Sequence, residues 1–598
     1  MKVFTLLLVL FLLLQAAPAR ADEGMWLLSQ LKKLNLAEKG FLIEAEDIYH
    51  PQKASLMDAV VLLGGGTSEF VSADGLLLTN HHVAFGAVQR ASTGGVDYMS
   101  SGFLAQTKAD EIEAPGYTAS VLLEMKDVST EVLKGIRANL NPGKRRALIE
   151  KRIKAITAAR EKGHADISAS VASMYEGREF VLFVHRRFDD IRLVYVPPAA
   201  IGNYGGEIDN WMWPRHTGDF SFMRVYMAPD GSGRKYHPEN IPYRPKNWLR
   251  VAREGLREGD QTFILGYPGR TQRYRSSYSV DYSLNYSYPR TIKLYTDTVE
   301  LLESFEKDSQ VAQAKVAGMK RGLQNTLKNY QGNVEGMLKN RYLEKKRQRE
   351  KIFTVWLKTD PSRSARFGDI LPAIASLYER INSSRDYDDT LAMFSRLSGT
   401  LPGLAANIIN TVKEREKPRR LRDPFFKESD VERAVSRLNF TFMSYYEPAD
   451  RALLKRTLEK AAELPATSRI KGLESILAGD IDEFVNRAYA ETRLKDPEFT
   501  KSLFTMKSRE LQRLDDPLIE LALGLYPELE AQKEKNREIN SRLEAARRKY
   551  IQALAEWQGR EIYPDANRTP RFSCGRGQVC TGQFHRFRLV RLVHQTEG

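Results

Sequence analysis

Between about Val60 and Val280 the apolar residues come in short runs separated by turn signals, the pattern of strands with one face buried. Ala59–Leu63, Glu69–Ser72, Ser120–Met125, Phe180–Val184, Ile191–Val196, Asp219–Tyr226 and Thr262–Leu265 are the predicted strands. Ala73-Asp74-Gly75 reads as a hairpin turn, because Asp and Gly tolerate positive φ. One basic helical stretch, about Pro142–Lys162, interrupts the series. Many short strands without a βαβ rhythm argue for an antiparallel barrel or sandwich. From Pro289 the apolar positions change to helical spacing, as at Leu301-Leu302, Phe305, Val311 and Val316. Asp360-Pro361, Asp423-Pro424, Glu447-Pro448, Asp496-Pro497 and Asp516-Pro517 mark helix boundaries, since a residue before proline leaves the α region. The last helix is expected from about Pro527 to Gln558. Beyond Asn567 neither periodicity persists, and a basic, disordered tail is the expectation.

Composition narrows the class. The 598 residues carry a net charge of +15 with 42% apolar and 28% charged positions, and mean hydropathy is −0.44. These values exclude a polytopic membrane protein, a disulfide scaffold and wholesale disorder. Met1-Lys2, the apolar run Val3–Leu14 and the small-x-small site Ala19-Arg20-Ala21 read as a cleaved signal peptide over residues 1–21. The run is too short to span a bilayer at ~20 residues, so stable membrane insertion is not expected. The mature chain is expected to start near Asp22 and, in a bacterium, to work in the periplasm. Both cysteines, Cys574 and Cys580, stand near the C-terminus, so the exported body rests on its cores. The positive charge is spread over helix faces such as Lys345–Lys351, and an export signal argues against a nucleic-acid partner.

Two constellations carry chemistry. Leu76–Leu78 is an apolar strand that ends in Thr79-Asn80 and delivers His81-His82 where strand meets helix. Imidazole suits a general base because its ordinary pKa of ~6.5 lets it take and return a proton near neutrality. In Thr-x-x-His patterns the base is the last histidine, which selects His82. Downstream, Asp219–Arg224 has the D-x-[AS]-x-x-[RK] form of a strand that starts with a triad aspartate, and the order His before Asp is that of chymotrypsin-like enzymes. Between them Asp209-Asn210-Trp211-Met212-Trp213-Pro214-Arg215-His216 concentrates two of the six tryptophans beside polar groups, a composition suited to substrate recognition.

With those motifs the chain resembles the bacterial serine dipeptidyl-peptidases of the dipeptidyl-peptidase 7 and 11 type, serine peptidase family 46. Gly24-Met25-Trp26, Ser55–Val60, Gly64-Gly65-Gly66, Leu76–His82, Asp209–Phe220, Gly266–Thr271 and Tyr563–Asn567 carry the resemblance. It implies a β plus α fold: a chymotrypsin-like double β-barrel, its second barrel incomplete here, with a large inserted α-helical cap. The divisions are residues 22–288 for the barrels, 289–559 for the cap and 560–598 for a returning barrel segment with an aberrant tail. The resemblance makes His82 the general base, Asp219 its partner, and Asn210 and Trp211 holders of the substrate's α-amino group. It also implies oligopeptide substrates with a free N-terminus, a homodimer, and neither cofactor nor metal. Val83 stands where family members commonly carry cysteine.

A serine peptidase also needs an activated hydroxyl and an oxyanion hole, in the family within a G-N-S-G-S context. No G-x-S-G turn occurs in the 598 residues, and Gly231-Ser232-Gly233 follows Asp230 rather than glycine. The tail from Phe572 to Gly598 has the look of out-of-frame translation, so the nucleophilic serine is expected to be absent and the product inactive. Two alternatives follow from the same residues. One is a non-catalytic periplasmic peptide-binding protein. The other is a metallohydrolase on His81, His82 and Asp219, disfavoured because no H-E-x-x-H is present.

Overall fold

A computed structural model describes residues 23–591 apart from 93–94, 138–139, 209, 213–214, 308, 419–421, 424–425, 427, 560–561 and 580–589. The expected leader, Asp209, Trp213, Pro214 and Cys580 therefore lie outside the described residues. Alternating apolar positions of the first half assemble edge to edge into an eleven-stranded sheet. Its order is Phe103–Leu104, Asp190–Val196, Ser221–Met227, Leu76–Thr79, Gly66–Phe70, Val60–Leu63, Ala119–Asp127, Glu179–Phe188 and Ile167–Met174, with Ile112–Glu113 and Ile241–Pro242 attached at the sides. Every pairing is antiparallel. The period of two places Val61, Leu63, Phe70, Leu77, Ile191, Leu193, Met223 and Val225 on one side, all wholly buried. The helix His81–Ala91 closes over them with Ala84, Ala87 and Val88.

The turn at residues 73–75 forms as predicted. Gly75 has φ +68° and a side chain there would sit 2.7 Å from the Tyr243 carbonyl oxygen, so no other residue fits. The strand Ile167–Met174 adds an element the apolar pattern does not predict. Its Ser-Ala-Ser-Val-Ala-Ser sequence is too polar to show a strand signal, which suits its position at the sheet's edge.

A separate three-stranded sheet sets Arg571–Arg576 between Trp26–Leu27 and Gln261–Gly266. This corrects the expected featureless tail: ordered structure runs past Phe572. Three glycine or arginine positions among six residues hide the strand's periodicity, yet Phe572 is wholly buried, with ring centroids 5.4 Å from Phe263 and 6.3 Å from Phe41. Arg571 is buried as well and meets its hydrogen-bonding needs with oxygens. It donates to the carbonyls of Met25, Pro564 and Asp565 and to Asn567 Oδ1 and Thr569 Oγ1, at 2.8–3.1 Å.

The long helical array begins at Ser277, ahead of Pro289. Ser277–Tyr282 passes through a π-type turn, Ser283–Ser287, into Tyr288–Glu306, and the widened turn lies where Pro289 cannot donate a backbone hydrogen bond. Asp360, Asp496 and Asp516 each accept two amide hydrogen bonds at the start of a helix whose first residue is proline. The final helix is Pro517–Gln558 rather than one starting at Pro527. Asp516-Pro517 supplies cap and first residue together, whereas Pro527 removes one interior hydrogen bond and the packed helix runs through it. Leu518, Ile519, Leu521, Ala522 and Leu525 join Leu401, Ile408, Leu454 and Tyr489 in the largest core. The described residues thus comprise the eleven-stranded sheet, the three-stranded sheet, a short ladder of Gln578–Val579 with Val590–Arg591, and a long helical array.

Candidate active site

Leu76–Thr79 and Ser221–Met227 are hydrogen-bonded neighbours, with Thr79 opposite Ser221. In an antiparallel pair the residues after one strand and before the other share an edge. His82 and Asp219, remote in sequence, are therefore brought together by register alone. His82 Nδ1 lies 2.7 Å from Asp219 Oδ2, and the His82 backbone N–H donates to Asp219 Oδ1 at 3.0 Å. A carboxylate only accepts, so the Nδ1 proton points at Asp219 and Nε2 is left free to accept one. The His82 side chain is 56% exposed and that of Asp219 only 8%.

Further donors hold the carboxylate. Asn80 Nδ2 donates to the Asp219 carbonyl at 3.1 Å and Arg215 Nη2 to Oδ2 at 3.2 Å. Burial works to raise the Asp219 pKa, but the hydrogen bond and charge of His82, with Arg215, prevail and hold the carboxyl below its ordinary range. Arg215 was expected only as part of the recognition loop, not as a partner of Asp219, although its spacing of four from Asp219 was readable.

His81 takes a different place. It is buried, stands against Gly202 and Phe85, and neither ring nitrogen has a hydrogen-bond partner. Burial first, and Arg321 second, push its pKa down to about 4. Among the described residues no group of three His, Cys, Asp or Glu could hold a metal ion, which removes the support for a metal site on His81, His82 and Asp219. Val83 packs over Gly66, where an added Cβ would lie 2.7 Å from Val83 Cγ2.

The recognition loop meets the helix Gln310–Lys339. Asn210 Nδ2 donates to Glu207 Oε2 at 2.6 Å and to Asn325 Oδ1 at 3.0 Å. Trp211 Nε1 donates to Asn325 Oδ1 at 3.1 Å and to its carbonyl at 3.2 Å, with Trp211 in the left-handed region at φ 59°. Asn325 is a member of this cluster that sequence reasoning missed; the recurrence of Asn at 325, 329 and 333 on one helix face was the available signal. The same helix touches the helix of His82, because the Arg321 guanidinium lies 3.5 Å over the Phe85 ring and Gln89 donates to the Ala314 carbonyl. Trp211 also borders a cavity of about 720 Å³ that runs away from it between helices and the N-terminal segment; His82 and Asp219 do not line it.

The chain is similar to known proteins along nearly its whole length. Dipeptidyl-peptidase 7 of Capnocytophaga gingivalis is 31% identical over 588 residues, covering 96% of this chain and 80% of that protein. The Asp/Glu-specific dipeptidyl-peptidase of Shewanella putrefaciens is 30% identical over 580 residues, covering 95% and 78%. The crystal structure of Porphyromonas endodontalis DPP11 with the dipeptide Arg-Glu superposes with a TM-score of 0.78 at 26% identity, covering 95% of this chain and 82% of that one. The family model for Peptidase S46 matches residues 21–583, and the chain belongs to that family.

Proposed function

We propose that the protein is an exported serine-type dipeptidyl-peptidase that removes dipeptides from the free N-terminus of oligopeptides. The observation that carries the catalytic half of this reading is the 2.7 Å approach of His82 Nδ1 to Asp219. With Nδ1 committed to the carboxylate, Nε2 takes the proton of an attacking serine hydroxyl and later delivers it to the leaving amine. The hydroxyl oxygen bonds to the scissile carbonyl carbon, the peptide C–N bond breaks, and water then hydrolyses the dipeptidyl ester. Asn210, Trp211, Asn325 and Glu207 support the dipeptide limit. An ammonium group brings three donors, and Asn325 and Glu207 supply acceptor oxygens beside an indole face. Seating the α-amino group at a fixed point sets how many residues reach the nucleophile. Export is supported by the Val3–Leu14 run and the Ala19-Arg20-Ala21 site.

As no G-x-S-G turn stands among these 598 residues, the same reading expects this polypeptide to bind dipeptides without releasing any from longer peptides. Calorimetric titration tests the recognition half. Dipeptides with a free α-amino group should bind and their N-acetyl forms should not, while Asn210→Ala and Trp211→Ala weaken binding by about tenfold or more. Equal binding of free and acetylated dipeptides would overturn it. Dipeptide release sensitive to a serine-directed inhibitor would overturn the inactive state of this polypeptide.

A further inference from the structure

The helix Gln310–Lys339 brings two polar side chains to the site. Asn325 belongs to the amine cluster, and Arg321 stands one turn earlier on the same face, roughly 6 Å along the axis. The Arg321 guanidinium carbon lies 3.5 Å over the ring of Phe85, which is one turn beyond His82 on the helix His81–Ala91. Arg321 therefore joins the turn that holds the amine cluster to the helix that carries the general base.

This arginine is short of acceptors. A guanidinium presents five N–H donors and accepts nothing. Among the described residues Arg321 has its ring contact with Phe85 but makes neither a hydrogen bond nor an ion pair. Nη1 is wholly buried without a partner, and Nε and Nη2 are the donors a ligand can reach. The neighbouring His81 ring takes none of these protons, since both of its nitrogens are unpartnered too. Burial works against the positive charge of Arg321, while Glu207 and Asp219 work for it. Those carboxylates belong to the amine cluster and to the base pair. The charge of Arg321 is thus offset from both sides while its donors stay unmet. A group in that condition suits a neutral acceptor oxygen, because Glu207 and Asp219 would repel a further carboxylate.

A peptide seated by its α-amino group at Asn325 and Trp211 carries its first carbonyl oxygen about 3 Å from that nitrogen, and the scissile bond lies one residue further toward His82. We propose that Arg321 is a substrate-binding residue that donates to the carbonyl oxygen of the substrate's N-terminal residue, holding that residue at both ends between amine seat and base. This rests on the amine seat proposed above, and the test separates the two. Calorimetry on the 598-residue chain compares Ala-Ala with three analogues: the trans-alkene isostere, in which CH=CH replaces CO–NH; the ester isostere, in which oxygen replaces N–H; and N-acetyl-Ala-Ala. Ala-Ala is expected to bind about tenfold more tightly than the alkene and within about threefold of the ester, which keeps the carbonyl. In Arg321→Met the ratio of Ala-Ala to alkene collapses toward one, because Ala-Ala weakens and the alkene does not. Arg321→Lys, which keeps a cation over Phe85, should retain part of the ratio. Equal weakening of both ligands in Arg321→Met marks a merely structural residue, and an unchanged ratio marks an idle one; either overturns the inference and leaves the amine seat standing. Should the methionine variant fail to fold, the unsubstituted chain still decides: equal binding of Ala-Ala and the alkene, or an ester as weak as the alkene, overturns the inference. Equal binding of the acetylated peptide removes the amine seat, and the inference with it.

Discussion

Asp219 engages His82 twice, at the ring and at the backbone amide in the first turn of a helix, so it both orients the imidazole and caps the helix that bears it. Its carboxyl is held below the ordinary range, so its contribution to stability is present above the unfolded pKa of ~3.9 and disappears as pH falls through the folded value. Asp219→Asn should therefore lower unfolding free energy by about 1–2 kcal/mol at pH 7, with the deficit shrinking below about pH 4. Denaturant titrations of both proteins across pH 3–7 check this. Gly202 is the companion case: a Cβ there would lie 2.5 Å from the His81 ring, and Gly202→Ala should cost roughly 1–3 kcal/mol and shift the loop that bears Asn210. A melting curve with dipeptide titration would show both effects. The sequence pointed to the meeting of His82 with Asp219 and to the polar, aromatic loop of Asn210 and Trp211, because motif order and local composition announce them. Asn325 and the buried fate of His81 were not legible, since both depend on which helix arrives from elsewhere in the chain.

Helix starts were the most readable elements, and Asp-Pro pairs show why: one side chain satisfies two amides while proline brings a preset φ and no surplus donor. Their worth differs with surroundings. Asp496 is exposed and serves its own helix alone, whereas buried Asp516 also accepts from Thr492 and Arg493. Asp516→Ala is expected to exceed Asp496→Ala by at least about 1 kcal/mol in chemical unfolding, the latter costing about 1 kcal/mol. Pro527 misled because proline is read as a boundary, yet the apolar face of Pro517–Gln558 gains more from packing than one absent hydrogen bond removes. Strands were legible where alternation is strong and hidden where it is weak. Ile167–Met174 lies at a sheet edge and is rich in serine, and Arg571–Arg576 is short and rich in arginine and glycine.

The whole chain is tied together where distant segments meet. Trp26 pairs with Phe572 and Leu27 with Arg571, and the Arg571 guanidinium reaches Met25 as well as the 564–569 segment. Arg571→Met leaves several buried carbonyls without donors and should cost about 3–5 kcal/mol, measurable by denaturant titration. Such long-range closure could not be read from a tail whose composition signals disorder; only the partners that surround Phe572 and Arg571 make it a strand. The middle strand of the small sheet is also the last of the three to be made. At ~5–20 residues per second a ribosome needs on the order of half a minute to two minutes to pass from Trp26 to Phe572. Until it ends, the nascent Trp26–Leu27 segment, joined partway through by Gln261–Gly266, lacks the common neighbour that will insert beside it. Protection of those segments by a holdase-type chaperone would matter more here than in a fold whose sheets close early.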